Sequence, residues 1–229
     1  MSRELPPVRL VNVVCTFCVN QNMDLTELTH KIPFAEFNAK KFAAASIRLF
    51  APRSTCLVFS SGNLVVTGCT SEDHALLASY RYVNMLRKFL RLPLRMRKFR
   101  IQNLVAASTL SFNVDLVQMA EHYQLHCNYE PEIFPGLIFR VPGLVVLIFR
   151  SGRIVLTGAK NRKNIITAFE ELYNDLLFPH SEHNALCVNS ADYRVQQMHD
   201  FQLSTVAREI GSSAAHAAEP ADADELGRE

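Results

Sequence analysis

Cys15 and Cys18, in "CTFC", are the first residues whose spacing could do chemistry, either holding a metal or cycling as a dithiol. No second CxxC or CxxH follows at zinc-finger spacing, and on a strand the two thiols would point to opposite faces. His122 and His126 stand four residues apart, and His180 and His183 lie close together. Neither pair has a third ligand or an HExxH pattern, so both are read as exposed helix histidines. A phosphate-binding glycine loop and a nucleophile elbow are missing as well. The chain is therefore read as no enzyme, with no metal and no cofactor. Charge is more informative. The net charge is only +2, yet residues 81–100 carry eight Lys/Arg and no acid, a block suited to a polyanion or an acidic partner.

The elements that must position any such surface are written twice. "FSSGNLVVTG" at 59–68 returns as "FRSGRIVLTG" at 149–158, with six of ten residues identical. "RLVNVV" at 9–14 aligns with "RIQNLV" at 100–105, and "KFAAASIR" at 41–48 with "IFPGLIFR" at 133–140. A duplication of this length sets the architecture before any motif does. Each half reads as a strand, a short helix, three more strands and a long helix. In the first half the short helix falls in "MDLTELTHKI" and the strands in "AASIRLF", "TCLVFSS" and "NLVVTGC". Ser71 is a suitable N-cap for a helix to residue 90, whose buried stripe is expected to be Ala75, Leu76, Tyr82, Val83 and Leu86. The second long helix spans about 161–178.

Strand periodicity then sorts the hairpin residues into two faces. Val58, Leu64 and Val66 share one face with their counterparts Val146, Ile148, Ile154 and Leu156. Leu57, Phe59, Val65 and Thr67, matched by Leu147, Phe149, Val155 and Thr157, share the other. Asn12 with Val14, and Asn103 with Val105, have a common parity. Both faces are apolar, but the helices suffice to cover one. The other is expected to be an exposed apolar binding surface set with two asparagines and two threonines.

On "NAKKFAAASIRL", "FSSGNLVVTG", "SEDHALLASYRYVNML", "FRIQNLV", "YEPEIFPGLIFR" and "LIFRSGRIVLTGAK", the chain resembles the TATA-box-binding protein family over about 8–180. The resemblance implies an α+β fold, a pseudo-twofold saddle of two repeats with a curved antiparallel sheet and helices on the convex face. It divides the chain into a leader, 1–7, a first repeat, 8–98, a second repeat, 99–180, and a partly disordered extension, 181–229. That family is itself the standing example of minor-groove kinking by apolar wedges. It implies that Phe42 and Phe59 form one intercalating pair and Phe134 and Phe149 the other. Asn12, Thr67, Asn103 and Thr157 match polar minor-groove contacts. Val14, Leu57, Val65, Val105, Leu147 and Val155 match the apolar floor. Arg48, Arg140, Arg153 and Lys160 match phosphate contacts.

The resemblance also implies partners. General initiation factors are expected at the second stirrup, Glu130, Glu132 and Ile133, and at the basic helix, Arg81, Arg87, Lys88 and Arg91. Double-stranded A·T-rich promoter DNA is the expected ligand, with self-association through the apolar face when DNA is absent. The first half departs from the family pattern: Asn63 and Thr70 stand where lysines are usual, and Ala39 where a proline is usual. These changes fit a divergent member or a related factor. Two functions stay open: an autonomous promoter-bending initiation factor, or a promoter-complex subunit recruited mainly by proteins. With no membrane span and no apolar stretch like a signal peptide, the chain is read as intracellular and, through the resemblance, nuclear. A helix is also expected within 192–211.

Overall fold

The computed structural model describes residues 5–177. His180, His183, the helix expected within 192–211 and the extension from 181 onward lie outside the described residues. The described chain divides into two compact units, a first one spanning Val13–Gln102 and a second one taking the chain from Asn103 together with the residues before Val13. The strands Arg9–Cys18 and Arg97–Thr109 each cross a boundary, with most of their residues in the first and the second unit respectively.

The first unit is built from β1 (Arg9–Cys18), α1 (Leu25–Lys31), β2 (Ala35–Glu36), β3 (Ala44–Phe50), β4 (Arg53–Phe59), β5 (Asn63–Cys69) and α2 (Glu72–Leu90). Its strands run in the order β2-β3-β4-β5-β1, with antiparallel pairing throughout. In the second unit, β6 (Arg97–Thr109) is followed by α3 (Leu116–His122), β7 (Cys127–Asn128), β8 (Gly136–Val141), β9 (Leu144–Phe149), β10 (Arg153–Ala159) and α4 (Arg162–Leu177). The order is β6-β10-β9-β8-β7, again antiparallel. The duplicated pattern is thus a duplicated α+β topology. The two-residue strands β2 and β7 escape the sequence pattern because they are too short to show a period.

Local chemistry explains the boundaries. Asp24 caps α1, its carboxylate accepting from Thr26 N at 2.8 Å and Glu27 N at 3.0 Å. Asp115 caps α3 in the same way, through Val117 N and Gln118 N. Ser71 caps α2 through His74 N, as its position before the acidic first turn predicts. The β4–β5 and β9–β10 turns close on Gly62 and Gly152, with φ near +80° in both. A Cβ on Gly62 would stand 2.2 Å from the Gln21 carbonyl oxygen, and one on Gly152 2.4 Å from that of Phe112. Only glycine fits either turn.

In the first unit α2 packs on β4 and β5, in the second α4 packs on β10. Val58, Leu64 and Val66 under α2, and Val146, Ile148, Ile154 and Leu156 in the second unit, are fully buried. Each such side chain contributes about 1.5–3 kcal/mol relative to exposure. The observed stripe of α2 is Ala75, Ala78, Ser79, Tyr82, Val83, Leu86 and Leu90. Leu76 departs from expectation. It faces solvent, because it lies about 100° around the helix from Ala75. His126 also departs: α3 ends at His122, and the His126 carbonyl instead accepts from Arg140 N at 2.8 Å.

Polar groups enter the first core in a satisfied cluster. The Tyr82 hydroxyl donates to the Ser54 carbonyl at 2.9 Å and meets Ser54 Oγ at 3.1 Å, while Ser79 Oγ donates to the Ala75 carbonyl at 2.7 Å. Cys15 Sγ lies 3.5 Å from Ser79 Oγ, and Cys56 and Cys69 are buried nearby. Cys18 turns away toward Asn20 Oδ1, at 3.2 Å. Burial pushes the Cys15 thiol up to about 11, with the Ser79 hydrogen bond offsetting part of the rise, and it pushes Cys56 well above its ordinary value. Folding therefore holds these thiols protonated while the unfolded chain ionises them from about pH 8.5. Stability should be flat through neutrality and fall as pH rises toward 11, by about 2 kcal/mol from Cys15 alone. Urea denaturation at pH 7.5, 9.5 and 10.5 checks this, with Cys15→Ala flattening part of the decline.

Candidate nucleic-acid interface

The face of each unit opposite its long helix carries the residues singled out from the sequence. In the first unit the strand register places Leu57 directly opposite Val65, and Val65 opposite Thr16. Phe59 pairs with Ala44, and Thr67 with Thr55. Side chains directly opposite on one face approach to about 5 Å and cover one another. As a result Val14, Ala44, Phe59 and Val65 form a second apolar cluster with Leu57 packed on it, and Val65 is only 2% exposed. This corrects the expectation of an open apolar surface. Among the described residues no helix packs on this floor, and its own neighbours pack across it. Phe42 is the exception, 41% exposed, its ring 6.1 Å from that of Phe59 and inclined at 66°.

The second unit has the same register, Leu147 opposite Val155 and Val145 opposite Thr157, but a looser floor. Val105, Leu147 and Val155 are half-buried, as are Phe134 and Phe149. The two rings stand 5.7 Å apart at 68°. Edge-to-face pairs of this kind hold their rings by contact of a positive edge with a negative face. Turns fix the outer member of each pair. Phe42 N donates to the Asn38 carbonyl at 3.0 Å and Phe134 N to that of Glu130 at 2.9 Å.

Polar groups on the second floor are arranged by one backbone group. A kink in β10 near Gly158 (φ +104°) lets the Gly158 N–H donate to Asn103 Oδ1 at 2.8 Å. Because that N–H requires an acceptor, the amide orientation of Asn103 is determined. Its Nδ2 then donates to Thr157 Oγ1 at 3.2 Å. The Thr157 hydroxyl, already an acceptor, keeps its proton to donate, and Asn103 keeps its second N–H. Two donors thus remain among apolar neighbours. Asn12 and Thr67, at the matching positions of the first half, are half-buried and partnered.

Arg48, Arg140, Arg153 and Lys160 are all exposed, Arg48 on β3 opposite Thr55 and Arg140 on β8 opposite Val145. Glu130, Glu132 and Ile133 are exposed on the turn before Phe134. The basic helix is less free than its charges imply. Arg81 Nη1 donates to the Ala51 carbonyl, and Arg87 Nε donates to that of Leu94 and Nη1 to Asn84 Oδ1. Lys88 and Arg91 are exposed, Arg91 ending α2 in a left-handed conformation. Two exposed residues were missed by sequence reasoning. Phe50, at the β3–β4 turn, is 98% exposed, and Arg150 follows Phe149 in the β9–β10 turn. The Arg150 signal lies in the paired decapeptides, where it stands against Ser60, a difference hidden by attention to identities.

Fold and site together define a duplicated α+β protein with an edge-to-face phenylalanine pair in each repeat. The family model described as "Transcription factor TFIID (or TATA-binding protein, TBP)" matches residues 7–89 and 98–177. The TATA-box-binding protein of Acetabularia peniculus is 42% identical over 166 residues, 72% of this chain and 86% of that one. TATA-box-binding protein 2 of Entamoeba histolytica is 36% identical, over 73% of this chain and 80% of its own. Among solved structures, Methanococcus jannaschii TBP matches with a TM-score of 0.67 and 31% identity, covering 75% of this chain and 99% of that chain. The chain belongs to the TFIID/TATA-binding protein family.

One difference between the pairs can be tested directly. A Cβ on Gly136 would come within 2.8 Å of Phe134 Cε1 and 3.0 Å of Phe149 Cε1, whereas the first repeat carries Ala44 there with its rings farther apart. Gly136→Ala should force the Phe134 and Phe149 rings apart and destabilise the protein by about 1–3 kcal/mol. Denaturation curves and ring-current shifts of the phenylalanine protons check it.

Proposed function

We propose that this protein binds promoter DNA through the minor groove, bends it, and serves as a platform on which a transcription pre-initiation complex assembles in the nucleus, without catalysing a reaction. The observation that carries the reading is the second-unit floor: Asn103 and Thr157 present donors between Val105, Leu147 and Val155, beside the Phe134–Phe149 pair. Minor-groove edges of A·T pairs offer only acceptors, which these donors satisfy. A guanine amino group would project a donor and bulk onto a floor that is mostly apolar carbon, and would lose most of its water there. Insertion of Phe42 and Phe59 at one end and Phe134 and Phe149 at the other would unstack base steps, at least cost where the step is flexible, as at TA. Arg48, Arg140, Arg153 and Lys160 would take phosphates. Glu130, Glu132 and Ile133, with Lys88 and Arg91, would meet protein partners. The names of the relatives, TATA-box-binding proteins, support the ligand class.

A second reading, recruitment mainly by proteins, is favoured by one observation: Asn63 and Thr70 leave the first unit without the cations that Arg153 and Lys160 supply in the second. A salt titration on fluorophore-labelled duplexes, one with a TATA element and one G·C-rich, decides between the two. Tight, A·T-selective binding with a shortened end-to-end distance supports the first reading. Weak, unselective binding to a straight duplex supports the second. On the first reading Phe149→Ala should reduce the bend. Asn103→Asp, which replaces a donor by a carboxylate, should weaken binding at least tenfold.

A further inference from the structure

The two hairpin turns share one backbone and differ in charge. In the first unit Gly62 N donates to the Phe59 carbonyl at 3.0 Å, Val19 N to that of Gly62 at 3.0 Å, and Met23 N to that of Ser60 at 2.8 Å. In the second, Gly152 N donates to the Phe149 carbonyl at 2.9 Å, Leu110 N to that of Gly152 at 2.9 Å, and Val114 N to that of Arg150 at 3.0 Å. Every bond has its counterpart. Position 150 is therefore held as rigidly by its main chain as position 60, and its side chain is left to the solvent. Ser60-Ser61-Gly62-Asn63 has no charge on this frame, while Arg150-Ser151-Gly152-Arg153 has two guanidiniums.

The surroundings leave Arg150 available. Asp115 lines the same groove as Arg150 and accepts from Val117 N and Gln118 N through Oδ1 at the start of α3, but makes no ion pair with Arg150. Among the described residues no ion pair engages Arg150, Arg153 or Lys160. On the other side of the ring pair the sign is reversed between the units. Lys40 and Lys41 precede Phe42, but Glu130 and Glu132 precede Phe134. The approach to Phe134 thus repels phosphate, and cationic support for the second ring pair has to come from elsewhere, including the turn after Phe149. Phe149 is the last residue of β9, and Arg150 stands exposed in the turn that follows, from which a long side chain is within reach of the backbone flanking an inserted ring.

We infer that Arg150 is a phosphate-binding residue which, with Arg153, makes the β9–β10 turn a two-arginine clamp on the duplex backbone beside Phe149. The inference rests on the minor-groove reading above. As a backbone contact it should hold DNA without regard to sequence, because phosphates carry no base information.

The test compares wild type, Arg150→Ser and Arg150→Lys on the TATA and G·C duplexes over a range of potassium chloride concentrations. Arg150→Ser installs the residue that the first unit carries on the same frame, so folding should be unaffected, and circular dichroism verifies this. The expected result is a slope of log K against log[salt] shallower by ~0.9. Affinity should fall roughly threefold to tenfold on both duplexes alike, and Arg150→Lys should restore the slope. The converse variant, Ser60→Arg, should steepen it. An unchanged slope in Arg150→Ser overturns the inference, as does a loss confined to the TATA duplex, which would make Arg150 a base reader. If wild type itself shows no salt-dependent duplex binding, the function proposed above fails and takes this inference with it.

Discussion

A sheet has two faces, and in each unit of this protein one long helix covers one of them. Among the described residues no helix covers the other, and the site follows from how that face is kept together. In the first unit the answer is lateral: Val14, Ala44, Leu57, Phe59 and Val65 bury one another across the strands. In the second, the kink at Gly158 turns a backbone N–H onto Asn103 and so organises the Asn103–Thr157 pair amid the half-buried Val105, Leu147 and Val155. The same topology thus yields a closed apolar floor in one repeat and a more open, donor-bearing one in the other.

Rigidity under that face comes from groups with no contact to it. Gly62 and Gly152 pull the hairpin turns against Gln21 and Phe112, closer than any side chain would allow, and this places Phe59 and Phe149 at the ends of their strands. Arg81 and Arg87, which by charge alone belong to a binding surface, are also ties from α2 to the Ala51 and Leu94 carbonyls. A loss of binding on replacing either would have two causes at once, packing of the helix and surface charge.

Much of this was legible in the residues. The hairpins were, because a two-residue period and a glycine turn leave only one register. So were the Asp24 and Ser71 caps, since each has a short polar side chain just ahead of a helical stretch. Leu76 was misread because a stripe chosen by hydrophobicity alone admits any apolar neighbour, whereas the helix admits those three or four residues apart, as in Ala75, Ala78, Ser79, Tyr82 and Leu86. Burial of the first-unit floor was invisible, because parity tells which face a side chain takes but not how closely its neighbours approach. The Asn103–Gly158 bond depends on a kink that no pattern encodes. Arg150 was in plain sight, but in a mismatch between the two copies rather than in a match.

The shared frame of the hairpin turns has an evolutionary consequence. The same main-chain bonds and a glycine hold the turn at Ser60–Asn63 and at Arg150–Arg153, with Ser61 Oγ accepting one more bond, from Asn63 N, in the first. Those positions are free to drift after a duplication, each copy exploring charge without risking its core. Binding strength and foldability are then inherited separately, and one half can lose its cations while the other gains them.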